Sequence, residues 1–101
     1  MSELIAILDR VINSLEKIRD TSPNPPDSLY DQIDALYEQR ETLVAAAIDQ
    51  ATAQYTQVTE ALSQAAKQAD QAVKDLAKAE EAVKKVADAV GKLADLLSKI
   101  G

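Results

Sequence analysis

A chain of 101 residues with 47% hydrophobic and 28% charged residues has the balance of one folded unit, which excludes a disordered tail or a collagen-like rod. Aromatics are 3%, all of them Tyr, and Gly and Pro together number five, so the composition suits helices and excludes an all-β fold. No His and no Cys removes imidazole bases, thiol nucleophiles, His- or Cys-type zinc sites, haem ligation and disulfides, and the net charge of −6 argues against a nucleic-acid partner.

The first element is a helix over about 3–19. Ser2 is placed to cap it, and Leu4, Leu8, Val11, Leu15 and Ile18 recur at spacings of four and three, with Ile5, Ile7 and Ile12 widening the stripe. Residues 20–27 then form a loop holding all three prolines, Pro23, Pro25 and Pro26, which withhold backbone donors and push the residues before them out of the α region. Asp27 or Ser28 caps the next helix. Ser28 stands three before Asp31 in the manner of a capping box, and acids crowd the first turn as the helix dipole prefers.

The run Ser22-Pro-Asn-Pro, followed by Leu29-Tyr-Asp-Gln-Ile-Asp-Ala-Leu-Tyr, loosely resembles the helical hairpin of type III secretion needle subunits, whose turn has a similar proline pattern. The resemblance is confined to this stretch. The chain runs on well past the point where such subunits end.

From residue 28 no proline or glycine interrupts the chain before Gly91. Val44, Ile48, Ala51, Tyr55, Val58, Leu62, Ala65, Ala69, Ala72, Leu76, Ala79, Val83, Val86, Val90, Leu93, Leu97 and Ile100 follow the four-three alternation without a miss, a sustained heptad. Leu29, Ile33, Leu36, Leu43 and Ala47 run one residue out of step with it. A turn would ordinarily shift the phase, so the unbroken seam predicts one continuous helix over about 28–100. The expected fold is all-α: a helical hairpin with a short first and a long second helix, associating as a coiled-coil or helical-bundle oligomer. Such a helix would be roughly 110 Å long at 1.5 Å per residue, more than one short helix can cover. The alternative is a three-helix bundle with a break near 50–70, where Thr52, Thr56, Val58 and Thr59 lower helix propensity.

The apolar face is wider than a two-stranded seam. Ala45, Ala47, Ala61, Ala66, Val73, Ala82, Ala87, Ala89, Ala94 and Leu96 flank it, so it is suited to more than one neighbour. The association seam expected from this pattern is Val44, Ile48, Tyr55, Val58, Leu62, Ala65, Ala69, Ala72, Leu76, Val83, Val86, Val90, Leu93 and Leu97.

Charge is unevenly laid out: residues 1–60 hold eleven acids against four bases, net −7, and residues 61–101 hold six acids against seven lysines, net +1. Lys78, Lys85, Lys92 and Lys99 recur every seven residues beside the apolar segment Val86 to Leu97, the pattern of a lipid-surface helix. Acids four residues before three of them (Glu81, Asp88 and Asp95) offset that charge and read as solvated ion pairs. Asp27, Asp31, Asp34 and Glu38 share a face, which dipole complementation explains; without His they miss the ligand set of a di-metal bundle, and no EF-hand spacing is present. No Gly-rich phosphate loop occurs, and no Ser or Thr has a His base to activate it.

The expectation is therefore a protein that is not an enzyme, has no cofactor, metal or catalytic residues, and acts as a helical interaction or self-assembly module. Its expected partner is a second copy or another helical protein; the alternative is a peripheral amphipathic protein on a membrane surface. The longest apolar run, Leu43 to Ile48, is far below the roughly 20 residues a spanning helix needs. The opening residues lack a signal-peptide pattern, so a cytoplasmic location is expected, with leaderless export as the exception.

Overall fold

The computed structural model describes residues 3–45 and 52–99, and all of its regular structure is helical. Four α-helices are present among the described residues: α1 (Glu3–Thr21), α2 (Asp27–Ala45), α3 (Ala53–Lys74) and α4 (Ala79–Ser98), with a short 3-10 turn, Leu76–Lys78, leading into α4. They enclose one core with a radius of gyration of 13.1 Å and extents of 40 × 20 × 20 Å.

The α1 stripe packs as its spacing dictates: Leu4, Leu8, Val11, Leu15 and Ile18 are all fully buried. The loop begins with Ser22 N–H donating to the Ile18 carbonyl at 2.9 Å, and Leu29 N–H donates to the Pro26 carbonyl at 3.0 Å as α2 starts. Between the two helices Tyr37 reaches Glu16 and Arg40 reaches Asp9. The later residue of α2 meets the earlier residue of α1, so the pair runs antiparallel.

The continuous helix expected over about 28–100 is not what the chain forms. Thr52 has φ −77° and ψ 148°, and its hydroxyl accepts from Tyr55 N–H at 3.1 Å, so it is the N-cap of α3. Asp75 is extended at φ −141° and ψ 94°; its own N–H closes α3 on the Gln71 carbonyl, and its carboxylate accepts from Ala77 N–H. One residue both ends α3 and opens the next turn. The three-helix alternative, with a single break near 50–70, captures the start at Thr52 but not the reversal at Asp75.

The reversal keeps the heptad in phase because Ala72 and Ala79 both turn inward on either side of it, at 0% and 4% exposure. The seam therefore serves two antiparallel helices, α3 and α4, which pack against each other along their length. Around the bundle α1 touches α2 and α3, α4 touches α2 and α3, and the pairs α1–α4 and α2–α3 lie on the diagonals. The wide alanine face of α3 explains its central place: Ala65, Ala66, Ala69 and Ala72 are all fully buried, letting α1 and α4 both come close.

Candidate functional site

The expected association seam divides when placed on this fold. Tyr55, Val58, Leu62, Ala65, Ala69, Ala72, Val83, Val86 and Leu93 are buried in the chain's own core. Leu76, Val90 and Leu97 are partly buried against it, Val44 is 62% exposed, and Ile48 lies outside the described residues. The structure thus brings most of the seam together within one chain, and two of its partly covered residues, Val90 and Leu97, lie on one side of the bundle.

That side is the groove between α2 and α4. Ala35, Glu38, Gln39 and Thr42 form one wall and Val90, Ala94 and Leu97 the other, around a volume of about 380 Å³. Helical spacing sets both walls. On α2, Asp31, Ala35, Glu38 and Thr42 follow one another at four, three and four residues, so two exposed acids stand on the rim beside the groove. On α4, Val90, Ala94 and Leu97 line the groove without a charge, and Ala87, Gly91 and Ser98 flank them; one to two turns before these, Glu80 and Lys84 stand exposed in the same heptad rows. Space is open at the rim: a Cβ added at Gly91 would meet nothing within 4 Å.

Gln39 spans the groove. It is 9% exposed, and its Nε2 donates to the Val90 carbonyl at 2.9 Å while Oε1 is buried without a hydrogen-bond partner. The amide orientation follows from that contact, since a carbonyl can only accept. A buried acceptor left unpaired costs about 1–3 kcal/mol, so Gln39 is a place where the fold has not optimised its own stability. Sequence reasoning missed it because a Gln one step from the Leu36 and Leu43 stripe reads as ordinary helix surface.

The other helix-helix furrows differ in chemistry. Between α3 and α4, Gln57, Glu60, Gln64, Lys85, Asp88 and Lys92 line a space of about 220 Å³, and next to it Glu81 and Lys84 line another with Gln68, Lys85 and Asp88. Both signs of charge alternate there. Lys92 pairs with Asp88 at 3.3 Å within α4, and Lys99 Nζ meets Gln54 Oε1 at 3.1 Å across to α3, so part of the lysine row is engaged in the bundle's own contacts.

A polar clasp joins α1 to α3. Ser14 Oγ donates to Asp70 Oδ1 at 2.5 Å, and Arg10 donates to Oδ2, through Nε at 3.0 Å and through its terminal nitrogen. Burial pushes the Asp70 carboxyl up, but the hydrogen bonds from Ser14 and Arg10 and the guanidinium charge outweigh it and hold the group below its ordinary value. On the α1–α2 side, the hydrogen bond from the Tyr37 hydroxyl to Glu16 at 2.9 Å leads the influences that raise the phenol above its usual range. These contacts fix helix positions and leave no acid-base pair facing a pocket.

Asp27, Asp31, Asp34 and Glu38 stand exposed along α2, and among the described residues no group of three or more His, Cys, Asp or Glu side chains gathers around a point where a metal could bind. No helix among the described residues is long and apolar enough to cross a membrane. Compared with protein-family models, with curated proteins and with solved structures, the chain matches none of them.

Proposed function

We propose that the protein is a non-enzymatic interaction module, a helical bundle that binds another polypeptide through the groove between α2 and α4. The observation that carries this reading is the contrast between that groove, with its uncharged α4 wall and half-covered Val90 and Leu97, and the alternating charges that line the α3–α4 furrows. Exposed apolar surface rimmed by polar residues is the usual mark of a contact face. Small side chains at Ala35, Gly91 and Ala94 allow a third helix to approach both walls closely. Self-assembly, the other form of the same reading, would use this face as well.

The lipid-surface alternative has no comparable support, since Val86, Leu93 and Leu96, its apolar residues, are turned into the core. A photoreactive amino acid placed at residue 94 of the full chain in its host cell tests the proposal, with residue 67 on α3 as the control. Adducts to a polypeptide from position 94 and not from position 67 are expected. Equal adducts from both positions, or none from 94, would count against the groove.

A further inference from the structure

We infer that the α2–α4 groove takes a basic amphipathic helix: a segment of another protein with small apolar residues on one face and Lys or Arg along the edge that meets α2. This deepens the proposed function and rests on it.

The apolar part of the match comes from the groove floor. Val90 and Leu97 stand one heptad apart on α4 with Ala94 between them, and Ala35 and Thr42 stand one heptad apart on α2, so the two walls repeat with the period of a docked helix. The charged part comes from α2, whose nineteen residues carry five acids (Asp27, Asp31, Asp34, Glu38 and Glu41) and one base, Arg40. Arg40 is turned away to Asp9 on α1, so the rim nearest the groove, Asp31 and Glu38, is acidic with no cation beside it on the same wall. On α4 the lining residues Val90, Ala94 and Leu97 are uncharged, and Glu80 and Lys84 further along that face offset each other. A partner's cations are therefore attracted chiefly to the α2 edge, which favours one orientation as well as one sign.

Gln39 closes the floor between the two walls: its Nε2 hydrogen bond to the Val90 carbonyl ties α2 to α4, so a docked helix meets a surface already fixed in place. A second copy of this chain is a poorer occupant: its groove rims carry the α2 acids and, on α4, Lys84 offset by Glu80, so it brings no net cationic edge to Asp31 and Glu38.

The test uses the full chain, labelled with nitrogen-15, and two synthetic helical peptides of about five turns. Both carry Leu and Ala on one face; one carries Lys along the flanks and the other Glu. The lysine peptide is expected to shift the amide signals of Ala35, Thr42, Gly91 and Ala94, and the glutamate peptide to leave them in place. The double variant Asp31→Lys/Glu38→Lys should weaken lysine-peptide binding by about tenfold or more. Glu60→Lys/Glu81→Lys, with the same change in net charge but away from the groove, should leave it within about twofold. Equal loss in both variants, shifts confined to the α3–α4 furrows, or equal binding of the two peptides would overturn the inference. So would concentration-dependent self-association through the same amides with no response to the lysine peptide; that result would leave the broader interaction reading standing, as self-assembly. No response to either peptide together with a strict monomer would overturn the inference and remove the support for both forms of that reading.

Discussion

The hydroxyl of Ser14 donates a 2.5 Å hydrogen bond to Oδ1 of Asp70, 56 positions along the chain, while Arg10 holds the other carboxylate oxygen. This clasp ties the first helix to the third, which the sequence places far apart. Ser14 is 6% exposed, so its hydroxyl depends on Asp70 for a partner. Asp70→Ala should lower stability by about 1 kcal/mol, a modest value because the carboxylate remains more than a third exposed and the Arg10 contact is screened. Urea denaturation of the two proteins at neutral pH measures it.

The same carboxylate gives a pH signature whose sign is fixed. Its pKa in the folded protein lies below the ordinary value, so the unfolded chain takes up the proton first as pH falls. The stabilisation is present above the unfolded carboxylate value of about 4 and disappears as pH drops through the depressed folded value. In Asp70→Asn this contribution is absent, so the stability gap between the two proteins should be constant from pH 7 to about pH 5 and close in stronger acid. A gap that widens on acidification would contradict the assignment.

Asp75 controls a choice between two architectures. Removing its cap in Asp75→Ala should cost about 0.5–2 kcal/mol and raise local helix propensity at the turn. Because the heptad is in phase across the turn, α3 and α4 can fuse and exchange partners between chains. Size-exclusion chromatography should show a dimer fraction that grows with concentration in the variant beyond that of the parent.

Seam residues that look alike in sequence should differ sharply in energy. Leu62→Ala removes a fully buried side chain and should cost about 2–5 kcal/mol, whereas Val44→Asp, at a position 62% exposed, should change stability by less than about 0.5 kcal/mol. A continuous coiled coil burying the whole seam would make both changes severe. Thermal denaturation of the pair separates the cases.

Gln39→Leu exchanges a buried, half-paired amide for an apolar side chain of similar reach. Stability should stay the same or rise, by up to about 1 kcal/mol, in urea denaturation. A clear loss of stability would show that the bond to the Val90 carbonyl outweighs the unpaired Oε1.

The all-helical class was legible in composition and spacing, and the α1 stripe was legible residue by residue because Leu4 through Ile18 have a single face to bury. The break at Asp75 was not, since it carries no Gly or Pro and leaves the apolar phase intact. A weaker sign was present: Lys74 closes α3 and Glu80 and Glu81 open α4, the charge order that helix dipoles favour across a boundary. The breadth of the alanine face was visible too. It was assigned to neighbours from other chains, whereas α1 and α4 of the same chain fill it. The groove escaped because it is built from residues on α2 and α4 that lie 48 to 62 positions apart, and a two-walled site cannot be read from either wall alone.

The central claim is that α3 and α4 fold back within one chain to build the wall that α2 faces, and a distance between residues 54 and 99 tests it most directly. Lys99 Nζ lies 3.1 Å from Gln54 Oε1. Spin labels at these two positions, in a chain diluted with unlabelled protein, should give an intramolecular distance below about 25 Å, whereas a fused helix would hold them about 68 Å apart. A dominant population near the longer distance, or a short distance that vanishes on dilution with unlabelled chains, would contradict the closed bundle and the groove with it.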